Sequence, residues 1–325
     1  MVINIISTVN GMENEGMRNI ASHMIKELGD MCTLRTSALG NPVECMKNSI
    51  GADAVLIFAR ASAKTAMLAK ALRLFVKRVY FVLVQKPEPA FIRKMAKSAA
   101  KYSYFSIIPA DADEIVKLGG RVRPLSVGIN TEKFRPVSDD AEKASLREKY
   151  SIAKDIPLVL HVGHLSSGRG LEEFLRLPGE KYERLFVASG MFQDDEVETR
   201  LRDDGVHILK EYLPDVSEVY RMADAYLFPT RSAEFVISIP LSVMEALACG
   251  IPTVAFDGVA GIDVIKASSD GGVYVVDDSS RLEDVFQTAI ADSAERSGSY
   301  LRDKCSWRDS ALEMLENITR DTKSL

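Results

Sequence analysis

Short runs rich in Val, Ile and Phe alternate along the chain with longer segments in which apolar residues return at helical spacing. That alternation is the pattern of parallel sheets covered by helices, and it occurs twice. In the first half, strands are expected at residues 2–6, 54–58, 79–84 and 104–108, with helices at 16–28, 62–75 and 90–101. A second series opens at Pro157 with LVLHVG and runs on through RLFVAS, VHIL, AYLFP, PTVAF and GGVYVV. Between the series, Gly128 to Asp140 reads GINTEKFRPVSDD, with turn residues, a proline and no clear period, and the domain junction is placed there. The expected fold is α/β: two Rossmann-like, doubly wound parallel-sheet domains over 1–128 and 129–305, followed by a helix within 306–325. A length of 325 residues suits two domains better than one. Doubly wound sheets bind ligands beyond the C-terminal ends of their strands, so two such domains facing each other would hold a ligand in a cleft.

The four cysteines, Cys32, Cys45, Cys249 and Cys305, are far apart and include no C-x-x-C pair, so neither a disulfide framework nor a zinc site is expected. The first residues, MVINIISTVNGMENEGM, lack the basic start and long apolar stretch of a signal peptide, and no apolar run approaches the ~20 residues of a membrane-spanning helix. A cytoplasmic location is the expectation. The net charge of -5 is unevenly placed: from Arg60 to Lys101 there are eleven Lys or Arg residues and one acid, Glu88.

The strongest local signal is VGHLSSGRG, Val162 to Gly170, where a buried strand runs into a small-residue loop and then into a helix expected near Gly170. Exposed N–H groups and the positive end of a helix dipole suit such a loop to phosphate, and His164 and Arg169 could add side-chain donors. The same pattern also serves as an ordinary tight turn. A second segment, PTRSAEFVISIPLSVMEALACG, leaves a strand, crosses an irregular loop and enters a helix near Pro240, a residue suited to a first helical position. Glu245 lies one turn in, among Leu241, Met244, Ala246 and Leu247. A carboxylate buried there needs a partner, which a ribose diol would provide; an exposed helix face is the alternative.

Taken together these residues resemble glycosyltransferase family 4, retaining enzymes of the GT-B fold. PLSVGINTEKFRPV is similar to the family's interdomain stretch P-N-G-V-D-x-x-x-F-x-P, GHLSSGRG to its G-R-L-x-x-x-K-G loop, and PLSVMEALACGIPTVAFDGVAGIDVI to its L-x-x-x-E-A-M-A-x-G-x-P-V-V signature and following turn. GMRNIASHMIKEL looks like the helix after the N-terminal glycine-rich loop, which would bring Gly16 to the donor. The resemblance implies a metal-independent hexosyltransferase of polysaccharide or glycoconjugate biosynthesis. Its donor would be a UDP- or GDP-sugar and its acceptor a hydroxyl group, with no cofactor and with the acceptor itself as nucleophile. Arg169 then stands where the family has its phosphate-binding lysine and His164 where it has an arginine; both would stabilise the departing diphosphate, but an imidazole is only partly protonated near neutral pH, so this is expected to rest mainly on Arg169 and N–H groups around Gly163. Glu245 matches the glutamate that holds the ribose, Glu211 and Tyr212 stand where the base lies, and Glu234, Ser238, Ile239 and Leu241 line the donor loop. The closing helix is expected to cross back to the N-terminal domain.

The chain also departs from the pattern. The family's glutamate eight residues before the ribose glutamate, which contacts the transferred sugar, is Ile237 here; Glu234 or Ser238 would have to take its place. Pro240 replaces a glycine and withdraws an N–H. The N-terminal Gly-Gly pair reads Glu15-Gly16, with Gly11 and Glu13 earlier in the loop, and VQKPEP at Gln85 holds neither the histidine nor the aspartate common on the acceptor side. These departures keep a second reading open, a non-catalytic GT-B subunit that binds a nucleotide or sugar.

In the basic stretch, Met67, Leu68, Leu72, Phe75, Phe91, Ile92 and Met95 alternate with Lys and Arg, a combination suited to an anionic membrane surface or, equally, to helices packed on a sheet with solvated charges. Peripheral docking at the inner face of the membrane is the resulting expectation. Nucleic acid is not expected, because aromatic residues are not interleaved with the charges. Asp111-Ala112-Asp113 spells D-x-D but follows a strand and a proline, where helix capping explains it. His23, His161, His164 and His207 show no metal-ligand spacing, and His161, in an apolar strand, reads as a satisfied core residue.

Overall fold

The computed structural model describes residues 1–8, 16–189, 193–294, 296, 298–301 and 306–323. The chain divides into two compact units, one formed by Met1–Gly128, Ile237–Ile239 and Lys304–Leu325, the other by Ile129–Val236 and Pro240–Asp303. The three-residue stretch at 237–239 therefore packs with the N-terminal unit, although the sequence places it within the second series.

In the first unit, β1 (Val2–Ser7), β2 (Thr33–Ala38), β3 (Ala54–Phe58), β4 (Val79–Leu83), β5 (Ser103–Ser106) and β6 (Arg121–Pro124) form one sheet in the order β2-β1-β3-β4-β5-β6. All its ladders are parallel. Every residue of β3 and β4 is buried, as central strands covered on both faces require. The two strands that periodicity does not reveal, β2 (TLRTSA) and β6 (RVRP), are the edges, where one side of the ladder meets solvent and polar residues are tolerated.

Helices pack on this sheet through Ala66, Ala69, Leu72, Phe91 and Met95. The helix Ala63–Leu72 starts from a capping box in which Ser62 and Thr65 exchange side-chain and backbone hydrogen bonds. The helix expected over 90–101 is instead two pieces, Pro89–Met95 and a 3-10 turn at Ala99–Lys101, separated by Ser98 in a non-helical conformation.

The C-terminal helix Trp307–Lys323 belongs to this unit and is held at both ends. Near its start the Trp307 ring stacks on His23, with centroids 4.7 Å apart and planes 6° from parallel. Gly128 lies so close that a Cβ there would stand 2.3 Å from the Trp307 nitrogen. Near its end, Asp321 accepts hydrogen bonds from Tyr80 Oη at 2.9 Å, Arg121 at 3.1 Å and Arg123. Burial works against the Asp321 charge, but the hydrogen bonds from Arg123 and Tyr80 and the two guanidinium charges hold its carboxyl below the usual range.

The second unit is another parallel sheet, of β7 (Leu158–His164), β8 (Glu183–Ser189), β9 (His207–Leu209), β10 (Ala225–Phe228), β11 (Thr253–Phe256) and β12 (Val273–Val276), in the order β12-β11-β10-β7-β8-β9. The chain winds outward from β7 in one direction, then returns to β10 on the other side, so the topological switch point lies between β7 and β10. Phe174, Phe186, Leu227, Val254 and Phe286 fill its core. Arg147, 4% exposed, donates to the carbonyls of Met222, Ala153, Lys154 and Ile156 and pairs with Asp224. Asp224 also accepts the Leu158 N–H at 2.6 Å, so one buried ion pair seats the helix Asp140–Lys149 at the start of β7.

Replacing Asp321 by Ala leaves Arg123 half-buried and unpaired and removes the anchor of the last helix. The expected cost is about 3 kcal/mol, read in a denaturant titration followed by the emission of Trp307, the single tryptophan.

Candidate functional site

Crevices at a switch point form where adjacent connections leave the sheet in opposite directions. Here β7 delivers Gly163 and His164 to that edge, in register with Ala188 and Ser189 of β8. On the other side β10 pairs with β7 only through Ala225 and Tyr226. Beyond that the Tyr226 hydroxyl takes over, accepting the Val162 N–H at 3.3 Å and donating to the Val162 carbonyl at 3.1 Å.

The loop that follows is shaped by close approaches. A Cβ at Gly163 would lie 2.8 Å from His161 Nε2 and 3.3 Å from Arg169 Nη1, and one at Gly170, whose φ is +72°, would meet the Pro229 carbonyl at 2.5 Å. The Phe235 ring lies against Gly168. Arg169 is half-buried; its Nη2 donates to the Phe235 carbonyl and its own carbonyl accepts from Thr230 Oγ1 at 3.2 Å. Burial draws its guanidinium below the ordinary arginine value. The helix expected after Gly170 is a six-residue 3-10 helix, Leu171–Arg176. Leu177 is extended, as the residue before a proline tends to be, and the helix stops there. The long helix dipole expected beyond this loop is therefore absent among the described residues.

His164 does not carry the charge that replacing an arginine would require. Its Nδ1 lies 2.6 Å from Ser189 Oγ, and burial, followed by the charge of Arg169, pushes its pKa down to about 4. The ring is neutral near pH 7. His161 also corrects the expectation of a satisfied core residue. It is 1% exposed and its Nδ1 lies 2.8 Å from the Leu227 carbonyl, but Nε2 has no hydrogen-bond partner among the described residues.

Glu245 lies on the helix Leu241–Ala248, whose other named neighbours Leu241, Met244, Ala246 and Leu247 are buried. Pro240 is the N-cap of this helix, not its first turn, with ψ 107° and no side-chain cap. Glu245 is half-buried, and Tyr220 donates to its Oε2 at 2.7 Å. Burial pushes the carboxyl up to about 7; the Tyr220 hydrogen bond and the charge of Lys133 only partly oppose this.

Tyr220 and His161 belong to one aromatic row. Phe134, Tyr220, Tyr226, His161 and Phe186 follow each other with centroid separations of 5.6, 5.8, 5.7 and 5.4 Å. Glu245 and Arg169 both act electrostatically on the Tyr226 hydroxyl, the carboxylate raising its pKa and the guanidinium lowering it.

Other expected site residues are dispersed. Glu211 and Tyr212 are exposed beyond β9, Tyr212 by 74%. Glu234 is exposed in the 3-10 turn Ala233–Phe235. Ser238 and Ile239 pack with the N-terminal unit: the Ser238 N–H donates to the Val84 carbonyl at 2.9 Å, its hydroxyl donates to the Asp111 carboxylate, and Ile239 is buried. That bond also corrects the capping role expected of D-x-D, since the helix Asp113–Lys117 begins at Ala112 with no side-chain cap. Gly16 opens the helix Gly16–Gly29, and Gly11, Glu13 and Glu15 lie outside the described residues. Among the described residues no group of three or more His, Cys, Asp or Glu side chains is arranged to hold a metal ion.

Tyr226, Tyr220, Ser189 and Phe235 were not singled out in the sequence. A phenol within the apolar run AYLFP was the one available signal; the others depend on register and on loop packing.

Residues 157–292 match the family described as Glycosyl transferases group 1. A D-inositol 3-phosphate glycosyltransferase of Xylanimonas cellulosilytica is 26% identical over 265 residues, 74% of this chain and 62% of the relative. The N,N'-diacetylbacillosaminyl-diphospho-undecaprenol alpha-1,3-N-acetylgalactosaminyltransferase of Campylobacter jejuni is 29% identical over 158 residues, 45% of this chain and 39% of that protein. The chain thus spans less than two thirds of the length of these curated relatives. Among solved structures, Anabaena Alr3699/HepE in complex with UDP-glucose superposes with a TM-score of 0.75 at 13% identity, covering 100% of both chains. The chain has the GT-B fold, and its residues 157–292 are similar to the glycosyl transferases group 1 family.

Proposed function

We propose that this protein is a retaining glycosyltransferase that moves a sugar from a nucleotide-sugar donor to a hydroxyl acceptor, with the donor held by the C-terminal unit. The observation that carries this reading is the arrangement around the end of β7. Arg169, whose present partner is a neutral main-chain carbonyl, and Glu245, held through Oε2 by the Tyr220 hydroxyl, lie in the unit's switch-point region, where both charges act on the Tyr226 phenol. A diphosphate suits the first and a ribose diol the second. The names of the relatives support the same class, and the UDP-glucose bound to the Anabaena protein makes UDP-sugars the first donors to try.

In this reading Arg169 turns from Phe235 to fork on the diphosphate, helped by N–H groups after Gly163. His164 supplies a hydrogen bond and no charge. The bond from the anomeric carbon to the β-phosphate oxygen breaks, the acceptor oxygen bonds to that carbon on the same face, and its proton passes to the departing phosphate. Leu241 is the proposed neighbour of the nucleotide, with Glu211 and Tyr212 the proposed contacts of its base and Glu234 of its sugar. Neither a metal nor a cofactor enters the proposal.

A membrane surface enters it as the place where the acceptor is met. Of the apolar residues expected to alternate with the charges in the basic stretch, Leu72, Phe91 and Met95 are buried in the sheet's cover, which removes them from any docking face. Met67, Leu74 and Phe75 are 59%, 81% and 47% exposed, beside exposed Lys64, Lys70 and Lys77. Three apolar side chains among lysines suit the headgroup layer of an anionic bilayer. No helix among the described residues is long and apolar enough to cross one.

With a panel of UDP-, GDP- and ADP-sugars, Arg169→Ala is expected to lower transfer by roughly 100-fold or more with the melting temperature retained. Nucleotide binding without turnover on any donor and acceptor, lipid-linked ones included, would favour the non-catalytic subunit instead. Glu245 adds a signature in pH. Its native pKa, about 7, exceeds that of an unfolded glutamate, about 4.3, so the folded state retains a proton the unfolded chain has lost, and stability declines as pH rises between the two values. Glu245→Gln should therefore be more stable than the parent at pH 8, by about 2 kcal/mol, converge with it near pH 4, and bind nucleotide more weakly. For the surface, flotation with anionic vesicles is expected for the parent and lost in Leu74→Glu/Phe75→Glu; no flotation of the parent would refute membrane docking, and equal flotation with zwitterionic vesicles would refute recognition of an anionic surface.

A further inference from the structure

The Leu227 carbonyl can only accept, so the Nδ1 of His161 that approaches it at 2.8 Å carries the ring proton, and Nε2 presents a lone pair. That lone pair is buried beneath the loop with no partner among the described residues. An orphaned acceptor in so closed a place calls for a donor. A charged donor stands across Gly163: the position its missing Cβ would occupy is 2.8 Å from Nε2 and 3.3 Å from Arg169 Nη1. Two groups that suit each other, an acceptor and a guanidinium, face the same gap, and any side chain at 163 would fill it. Stacking at 5.4 Å on Phe186 and edge packing against Phe174 fix the imidazole plane, so the lone pair has one direction.

We propose that His161 is a positioning residue for Arg169: its Nε2 receives an N–H of the guanidinium across Gly163 when Arg169 leaves the Phe235 carbonyl for a diphosphate. The inference rests on the reading of Arg169 as the diphosphate ligand. A guanidinium has five N–H donors in one plane, enough to face a phosphate pair on one side while a neutral acceptor holds the other. Burial first, and the Arg169 charge after it, hold the His161 pKa down near 3, so the ring remains an acceptor over the whole working pH range and does not repel its neighbour.

Two substitutions separate the two ring nitrogens. His161→Asn keeps a donor where Nδ1 stands and removes the acceptor at the Nε2 position; His161→Gln does the reverse. With inorganic pyrophosphate as the probe in titration calorimetry at a temperature where every variant is folded, His161→Asn is expected to bind about tenfold more weakly. His161→Gln is expected to bind within about twofold of the parent while melting lower, having lost the bond to Leu227. A merely structural role reverses this order, and parent-like binding by His161→Asn overturns the proposal. Should His161→Asn not fold, Gly163→Ala, which puts a methyl group between the partners, carries the same expectation of weakened binding. On an Arg169→Ala background His161→Asn should add nothing, because the group it positions is gone. Pyrophosphate binding unaffected by Arg169→Ala would instead overturn the reading of the loop, a result distinct from failure of His161→Asn alone.

Discussion

The phenol of Tyr226 closes a gap that the sheet leaves open. Strand β10 bonds to β7 through Ala225 and Tyr226 and no further, so the last turns of β7 would face the switch point with bare peptide groups on that side. By bonding to both the N–H and the carbonyl of Val162, Tyr226 extends the sheet's order by side chain instead of by ladder. Gly163, His164 and the loop to Gly170 begin from that clasp. Because the same ring packs against Tyr220 and His161, the support of Glu245 and the floor beneath Arg169 share one stack. A switch point is a geometric opportunity; the aromatic row makes it rigid enough to hold charged groups in fixed relation.

Charge at this edge is sparing. Of the titratable groups around β7, both histidines are held neutral by burial, the glutamate is drawn toward neutrality, and Arg169 keeps its charge. A low-dielectric setting strengthens the field of that cation on an anion beside it. The neutral histidines matter for the same reason. Protonated, they would add charge, but they would also repel Arg169 and draw water into the loop.

Much of this was legible in the residues, and the limits have physical causes. Apolar runs betray strands only when both faces are covered, so β3, β4, β7 and β10 stood out while the edges β2 and β6, with arginines and threonines along them, did not. Gly163, Arg169 and Glu245 could be named because each breaks a local rule, a small residue, a cation and an acid in apolar company. The neutrality of His164 could not, because it depends on burial and on Ser189 reaching it across a ladder whose register is written in no single segment. Nor could Ser238 and Ile239 be assigned to the N-terminal unit, since the carbonyl of Val84 and the carboxylate of Asp111 lie far away in sequence. The same distance hid the true partner of the D-x-D aspartate.

The contact between Arg169 and the Phe235 carbonyl, with the Phe235 ring laid over Gly168, gives the loop an internal occupant. Whatever enters must outcompete a partner tethered in the same chain and therefore present at high effective concentration. A neutral sugar hydroxyl offers Arg169 nothing better than the carbonyl it already has. A diphosphate offers two negative oxygens in a geometry the guanidinium can grip. On the proposed reading of Arg169, the resting contact acts as a threshold set by charge: free sugars and nucleosides fall below it, and a ligand that brings its own anion passes it.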